Sequence, residues 1–379
     1  MEGFLLTHKG MEDIAALEVK ELIGKPSVKL EKCVVFSIKD HEDLFKLCYL
    51  SQSAYGVYFL LKKFGCKDLL EGLDKNIEGI KFGEWLSKKS SFRVRCKNIR
   101  EEEKPTPEIE AKIGAIIIKH IEKKSGCKQS VDLENPDLSI VVYFNGEECC
   151  IGIDFAGFDL SKRDYKIFSD PSSLKGTVAY MLVRLSSYEK KDALLDCFAG
   201  SGMIPIEAAL FASKFPVNFY NKDKFAFLKI EKFKKYDFKK FFKKVDSKVN
   251  DTSLKINCVD PAMRYLQFAK KNSKISGVDK KINFSRMDME WLDTKFKKNT
   301  IDKIAAKLPE SNRKDVNKAY KEFFYQAEFI LSKDGKMAVA GNKELIKKYA
   351  QEYSFSILGE KEAYSGDKKH DVFVLERKK

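Results

Sequence analysis

The stretch DALLDCFAGSGMIPIEAALFAS, Asp192–Ser213, constrains the fold most. It reads as a short apolar strand, an acidic residue where that strand ends, a turn containing Gly200 and Gly202, and a helix of good formers. Glycine at those two positions supplies positive φ and lets a ligand come close to the backbone. From Leu174 onward strand-like and helix-like segments alternate, the pattern of a parallel doubly wound sheet. In such a sheet the ligand sits outside the carboxyl ends of the strands, where this turn lies. The spacing matches neither the GxGxxG dinucleotide fingerprint nor the Walker loop, and no Lys–Ser/Thr follows to hold phosphate and magnesium.

Two further acidic residues extend the pattern. In NCVDPAMRYLQFAKKNSKISGV, Asp260 ends a second strand, about where a carboxylate would accept both ribose hydroxyls of a nucleoside ligand. In INFSRMDMEWLD, Asp288 follows a third strand, placed to accept a hydrogen bond from an adenine amino group. Either residue alone could instead be a helix N-cap. Asp196, Asp260 and Asp288 in register after successive strands favour a cofactor site.

The first half of the chain has a different rhythm. MEDIAALEVKELIG reads as a helix stopped at Gly24, CVVFSI as a strand, and HEDLFKLCYLSQSAYGVYFLLKKF as a helix running into a strand. SFRVRCKNI alternates like a strand, AKIGAIIIKHIEKKSG reads as a helix stopped at Gly126, and the strands on either side of Asn145–Gly146 form a hairpin. FDLSKRDYKIFSDPSS is polar and aromatic, and reads as a linker. Lysines interleave with Phe and Tyr through Asn218–Asn257; the part around Lys232–Lys244 is a candidate RNA contact, although phenylalanines at helical spacing more often pack a helix against its domain than touch a base.

A chain of 379 residues with a net charge of +15 suits two or three domains and a polyanionic partner, although a lysine-rich solvated surface gives the same charge. No apolar run is long enough to span a membrane. Acidic residues near the start stand where a targeting peptide would want basic ones, so a cytoplasmic protein is expected. The nine cysteines are scattered without a CxxC pair and only four histidines accompany them, so no metal site or disulfide framework is expected.

At these motifs the chain resembles the THUMP-domain RNA methyltransferases, the group that includes archaeal tRNA guanine-N2 methyltransferases and bacterial RlmL-type rRNA enzymes. DCFAGSGMIPIEAA is similar to the family's glycine motif, KFAFLKIEKF to its Phe-Ala-Phe segment, and LSKRDY to its Leu-x-x-Arg-x-Tyr exit from the THUMP domain. The resemblance implies an α/β protein, with a Rossmann-like class I methyltransferase domain at 176–379. Preceding it would be a ferredoxin-like segment at 1–65, a THUMP-like RNA-binding domain at 66–157 and a linker at 158–175. It implies S-adenosylmethionine as cofactor, structured RNA with tRNA foremost as partner, and methylation of an exocyclic amine, guanine N2 above all. The cofactor would be held by Asp196, Phe198, Ala199, Gly200, Ser201, Gly202, Asp260, Asp288 and Met289. RNA would be met by Arg93, Arg95, Lys97 and Arg100, and by Lys162, Arg163 and Lys166 in the linker.

One motif departs from the pattern. Where the family has Asn/Asp-Pro/Leu-Pro-Tyr/Phe at the end of the fourth strand, this chain has Lys307, Leu308, Pro309 and Glu310. An aromatic amine is a weak nucleophile, so its N–H groups must be oriented by acceptors while an aromatic residue stacks on the base. Lys307 has donors only, and Glu310 cannot stack. Three readings stay open at this point. Backbone carbonyls near Leu308, with Glu310 or Asn312, orient the amine; or the protein is a paralogue that binds RNA without turnover; or the substrate is shifted and a partner subunit is needed. A DNA amino-methyltransferase shares the loop logic but leaves the THUMP-like half unexplained.

Overall fold

The structure, a computed structural model, describes residues 1–98, 107–169, 173–309 and 315–378. The chain divides into two compact units, one of Met1–Thr7, Ala15–Leu160 and Asn218–Val245, the other of His8–Ile14, Ser161–Val217 and Asp246–Lys379.

The first unit is built on one eight-stranded sheet. Its strands are β1 (Glu2–Thr7), β2 (Ser27–Leu30), β3 (Cys33–Ser37), β4 (Ala54–Gly65), β5 (Ser91–Asn98), β6 (Ser130–Val131), β7 (Leu138–Phe144) and β8 (Glu148–Asp154), in the order β2-β3-β1-β4-β8-β7-β5-β6. The helices are α1 (Glu12–Ile23), α2 (His41–Leu50), α3 (Leu69–Asn76) and α4 (Pro107–Ser125), together with the later helix Phe238–Asp246. Pairing is antiparallel except around β5, which runs parallel to β6 and β7. β7 and β8 meet at Asn145–Gly146, where Gly146 takes a φ of 95° and the Asn145 side chain accepts from Glu147 and Glu148 N–H groups. Alternation then sorts the side chains: Phe92, Val94, Cys96 and Cys149 enter the large core with the helices, whereas Phe4, Leu6, Val141, Tyr143 and Cys150 bury on the opposite face. The adjacent cysteines 149 and 150 therefore point apart, and all nine are free thiols, seven of them buried. The Tyr143 hydroxyl donates to the Glu31 carbonyl at 2.5 Å, so the sheet curls over its second face.

Asn218–Val245 belongs to this first unit, although the residues on either side of it belong to the second. Phe225, Phe227, Phe233, Phe241 and Phe242 are all in its core, against Phe45 and Tyr49 of α2.

The second unit holds a seven-stranded sheet flanked by helices. In chain order come α5 (Gly176–Leu185), β9 (Ala193–Asp196) and α6 (Met203–Ser213); then, counting Phe238–Asp246 as α7, β10 (Lys255–Asp260), α8 (Met263–Ser276), β11 (Ile282–Arg286) and α9 (Leu292–Lys295). β12 (Ile301–Lys307), α10 (Val316–Ile330), β13 (Leu331–Ala340), α11 (Lys343–Glu352), β14 (Phe355–Ser365) and β15 (Lys368–Arg377) complete it. The order is β11-β10-β9-β12-β13-β15-β14, parallel through β13, with β15 and β14 antiparallel. From β9 the chain moves outward through β10 to β11, then returns to the other side of β9 as β12. The carboxyl ends of β9 and β12 thus flank the topological switch point.

Candidate functional site around the switch point

The glycine turn is fixed by backbone requirements on all sides. Gly200 and Gly202 have φ of 51° and 81°. A Cβ on Gly202 would lie 2.7 Å from the Ala269 Cβ and 3.0 Å from its Cα, so only glycine lets α6 start this close to α8. Ala199 N–H donates to the Val259 carbonyl at 3.1 Å, and Gly200 N–H donates to Asp260 Oδ2 at 2.9 Å, which draws the turn against the end of β10. Asp260 Oδ1 accepts from Ala262 N–H at 2.9 Å, and the Asp260 carbonyl accepts from Met287 N–H at 3.3 Å just after β11.

Asp196 ends β9 with 1% of its surface exposed and accepts one backbone bond, from Phe198 N–H at 3.1 Å. Burial pushes its carboxyl up to about 8, and the neighbouring Asp260 adds to the rise. No salt bridge to Asp196 is present among the described residues. A buried carboxylate short of positive charge, beside a second carboxylate and a turn that admits close approach, fits a ligand carrying cationic groups and a ribose. S-adenosylmethionine carries those groups: an ammonium and two vicinal hydroxyls that donate, and a positively charged sulfonium.

Of the residues expected at a cofactor, the structure gathers Asp196, Ala199, Gly200, Ser201, Gly202 and Asp260 around one turn. Phe198 is half-buried, its ring 6.0 Å from that of Phe323, and Met289 is buried in the cluster against which Phe198 packs. Asp288 is exposed and caps the 3-10 turn that follows it, accepting from Glu290 N–H at 3.3 Å. The N-cap role weighed for it in the sequence is the one its side chain performs here.

Three side chains that sequence reading missed are engaged around this turn and the helix that follows it. Asn272 of α8, fully buried, donates to the Ser201 carbonyl at 3.0 Å and to the Phe168 carbonyl at 2.7 Å, and accepts from Phe168 N–H at 3.1 Å. The Ser173 hydroxyl is hydrogen-bonded to that of Ser201. Glu207 of α6, with no exposure, accepts from Arg163 Nε at 2.6 Å and Nη2 at 3.3 Å and from the Tyr165 hydroxyl. Gly176 at the start of α5 leaves room for that pair, since a Cβ there would lie 2.5 Å from Glu207 Oε1. An asparagine inside a helix is disfavoured by propensity, and that was the available signal for Asn272.

The Arg163 network corrects an expectation. Its side chain is 2% exposed and spent on Glu207, so it is an internal brace and not a contact for RNA phosphate. Lys166 directs its ammonium to the Leu174 carbonyl at 2.8 Å and the Ser173 carbonyl at 3.3 Å. Lys162 is exposed. Arg93, Arg95 and Lys97 share one face of β5, with Arg93 Nε donating to Ser139 Oγ at 2.9 Å and Arg95 3.6 Å from Glu110. Arg100 and Glu310 lie outside the described residues.

At the end of β12 the chain makes a different arrangement. Leu308 is buried, and its N–H donates to the Ala340 carbonyl at 2.8 Å. The Tyr320 hydroxyl, from α10, donates to the Pro309 carbonyl at 3.1 Å and accepts from Asn342 N–H at 2.7 Å, tying the exits of β12 and β13 together. Gly341 makes this possible, because a Cβ there would lie 2.4 Å from that hydroxyl. Among the described residues no group of His, Cys, Asp and Glu could hold a metal ion, and no helix is long and apolar enough to cross a membrane.

Comparison with known proteins places these features. A family profile described as RMKL-like, methyltransferase domain matches residues 163–369, and a THUMP domain profile matches residues 70–154. The tRNA (guanine(6)-N2)-methyltransferase of Methanocaldococcus jannaschii is 28% identical over 383 residues, covering 99% of this chain and all of that protein. A crystal structure from Clostridium difficile 630, described as "a possible methylase", has a TM-score of 0.84 at 20% identity and covers 100% of this chain and 98% of its own. SMU.472, crystallised in complex with SAH, has a TM-score of 0.79 at 19% identity over 100% of this chain and 98% of its own.

Proposed function

The chain belongs to the RMKL-like methyltransferase domain family, and from that membership we propose that it transfers the methyl group of S-adenosylmethionine to N2 of a guanine in tRNA. The observation that carries the reading is the pair Asp196 and Asp260 braced against a glycine turn at the switch point of a methyltransferase sheet. Likeness along its whole length to a tRNA (guanine(6)-N2)-methyltransferase supports the substrate, as does the THUMP match. When bound, S-adenosylmethionine supplies an electrophilic methyl group on a positive sulfur. Every other task falls to the chain's own residues.

In this reading Asp196, ionised when a cation enters its pocket, accepts from the methionine ammonium, and Asp260 accepts from the ribose hydroxyls while keeping Gly200 in place. Asp288 stands by the adenine end, with its carboxylate shared between cap and ligand. The Leu308 carbonyl, held at the end of β12, takes the acceptor role for the guanine amine. The main chain does there what an Asn or Asp side chain does elsewhere in the family. Orientation and proximity are the chain's contribution, since an amine aimed at a methyl group in a water-poor site needs little further help. Arg93, Arg95 and Lys97 offer a basic face for RNA on the THUMP-matching part. With tRNA as substrate, a cytoplasmic location is part of the same proposal.

The test is to incubate unmodified tRNA with methyl-labelled S-adenosylmethionine and digest the RNA for nucleoside mass spectrometry. N2-methylguanosine is the expected product. Cofactor binding by calorimetry without any incorporation into RNA would sink the catalytic reading and leave a binding protein.

A further inference from the structure

Lys229–Lys248 contains nine lysines and three acidic residues, a net charge of +6 in twenty residues of a chain whose total is +15. The basicity of this protein is therefore concentrated, not spread as general solvation would spread it. The segment is also firmly seated. Phe238, Phe241 and Phe242 of α7 lie with ring centroids 5.3, 5.8 and 4.9 Å from those of Phe45, Phe45 and Tyr49, which fixes one face of the helix to the core of the first unit.

The opposite face carries Lys239, Lys240, Lys243 and Lys244, all exposed. Lys239–Lys243 and Lys240–Lys244 are like charges one turn apart, which destabilises a helix in isolation. Several other helix lysines in this unit have carboxylate partners, as in Lys75–Glu71, Lys112–Glu108 and Lys123–Glu78. In the segment, Lys234 pairs with Glu231 and Lys244 with Glu42, whereas Lys235, Lys239, Lys240 and Lys243 have no ion pair among the described residues. A rigid, aromatic-anchored helix that presents unneutralised ammonium groups at fixed spacing is what a phosphate backbone needs, because releasing its counterions drives binding.

We propose that the lysine face of α7, extended by Lys235, is a docking surface for the phosphate backbone of the RNA substrate. The surface is separate from Arg93, Arg95 and Lys97 of β5 and adds affinity without reading sequence. The inference rests on the reading of the protein as an RNA methyltransferase. It assigns to a segment inside the methyltransferase sequence a role in holding substrate, exercised from the first unit.

The test replaces Lys235, Lys239, Lys240 and Lys243 together by Gln and measures binding of an unmodified tRNA transcript between about 50 and 200 mM salt. Affinity at the low-salt end is expected to fall about tenfold, with a slope of log affinity against log salt shallower by about 2, as loss of two or more phosphate contacts requires. KM for tRNA should rise while kcat and cofactor affinity stay unchanged, and the fourfold Lys→Arg variant should keep wild-type binding. A charge-matched control, Lys190, Lys280, Lys321 and Lys333 to Gln, should lose little. Unchanged binding in the α7 variant overturns the proposal, and so does an equal loss in both variants, which would reduce the effect to net charge. Absence of RNA binding by the wild type would overturn this proposal and the RNA methyltransferase reading together, whereas methylation that persists with α7 indifferent overturns this one alone.

Discussion

The two sides of the switch point satisfy their polar groups in opposite ways. At the ends of β9 and β10, side-chain carboxylates are buried ahead of any positive partner, and Asp196 is held near neutrality as a result. At the end of β12 the Leu308 N–H and the Pro309 carbonyl are engaged within the protein, through Ala340 and Tyr320, and among the described residues there the charged side chain is that of Lys307. In the proposed reading the difference divides the chemistry: donor binding falls to side chains, and amine orientation to a backbone segment braced by a tyrosine. Changes on the first side should therefore act on cofactor affinity, and changes on the second on turnover.

The largest effect is expected at Asp260. Replacing it by Ala strips Gly200 N–H of its acceptor and removes the ribose acceptor, so S-adenosylmethionine affinity by calorimetry should drop about 100-fold or more, the scale of two charged hydrogen bonds. A loss below threefold would mean that the carboxylate only shapes the turn.

Asp196 gives the next effect and a pH signature. Its folded carboxyl titrates near 8 because of burial, so below that pH a bound cation must first expel a proton. Cofactor affinity should rise with pH toward about 8, by up to about tenfold per unit, and then level off. For the unliganded protein the sign runs the other way. Between about 4 and about 8 the unfolded chain is ionised and the folded site is not, so this group's contribution to stability falls as pH rises through that window and is flat above it. Asp196→Asn should flatten both profiles and weaken binding at pH 8 about tenfold. An affinity profile of unchanged steepness in the variant would assign the titration elsewhere.

What the sequence made legible is what a single backbone position must satisfy. Gly202 and Asp196 could be read because close approach and a strand-end acid leave local signatures. Asp288 was read correctly as an acid after a strand, yet two local roles, cap and ligand, share that signature. Arg163 misled because a basic residue in a polar stretch looks exposed, and its partner Glu207 stands on a helix 44 residues later. The periodicity of Phe238, Phe241 and Phe242 announced a packed helix, but periodicity names a buried face without naming the core that covers it. Tyr320 gave no sign at all, since a tyrosine inside an amphipathic helix is ordinary core until Gly341 and Pro309 are brought to its hydroxyl by the fold.

Tyr320 is accordingly where the comparison is sharpened with the smallest change. Tyr320→Phe keeps the ring in the core and deletes only the hydroxyl that joins the Pro309 carbonyl to Asn342 N–H. One such bond has a net worth of about 0.5–1.5 kcal/mol, so kcat should fall about fivefold as the segment after Leu308 loosens. Cofactor affinity should stay within experimental error, because the groups this hydroxyl joins, Pro309 and Asn342, stand after β12 and β13. A parallel fall in S-adenosylmethionine affinity would show that the two sides of the switch point act as one unit, and the division between side-chain binding and main-chain orientation would then have to be abandoned.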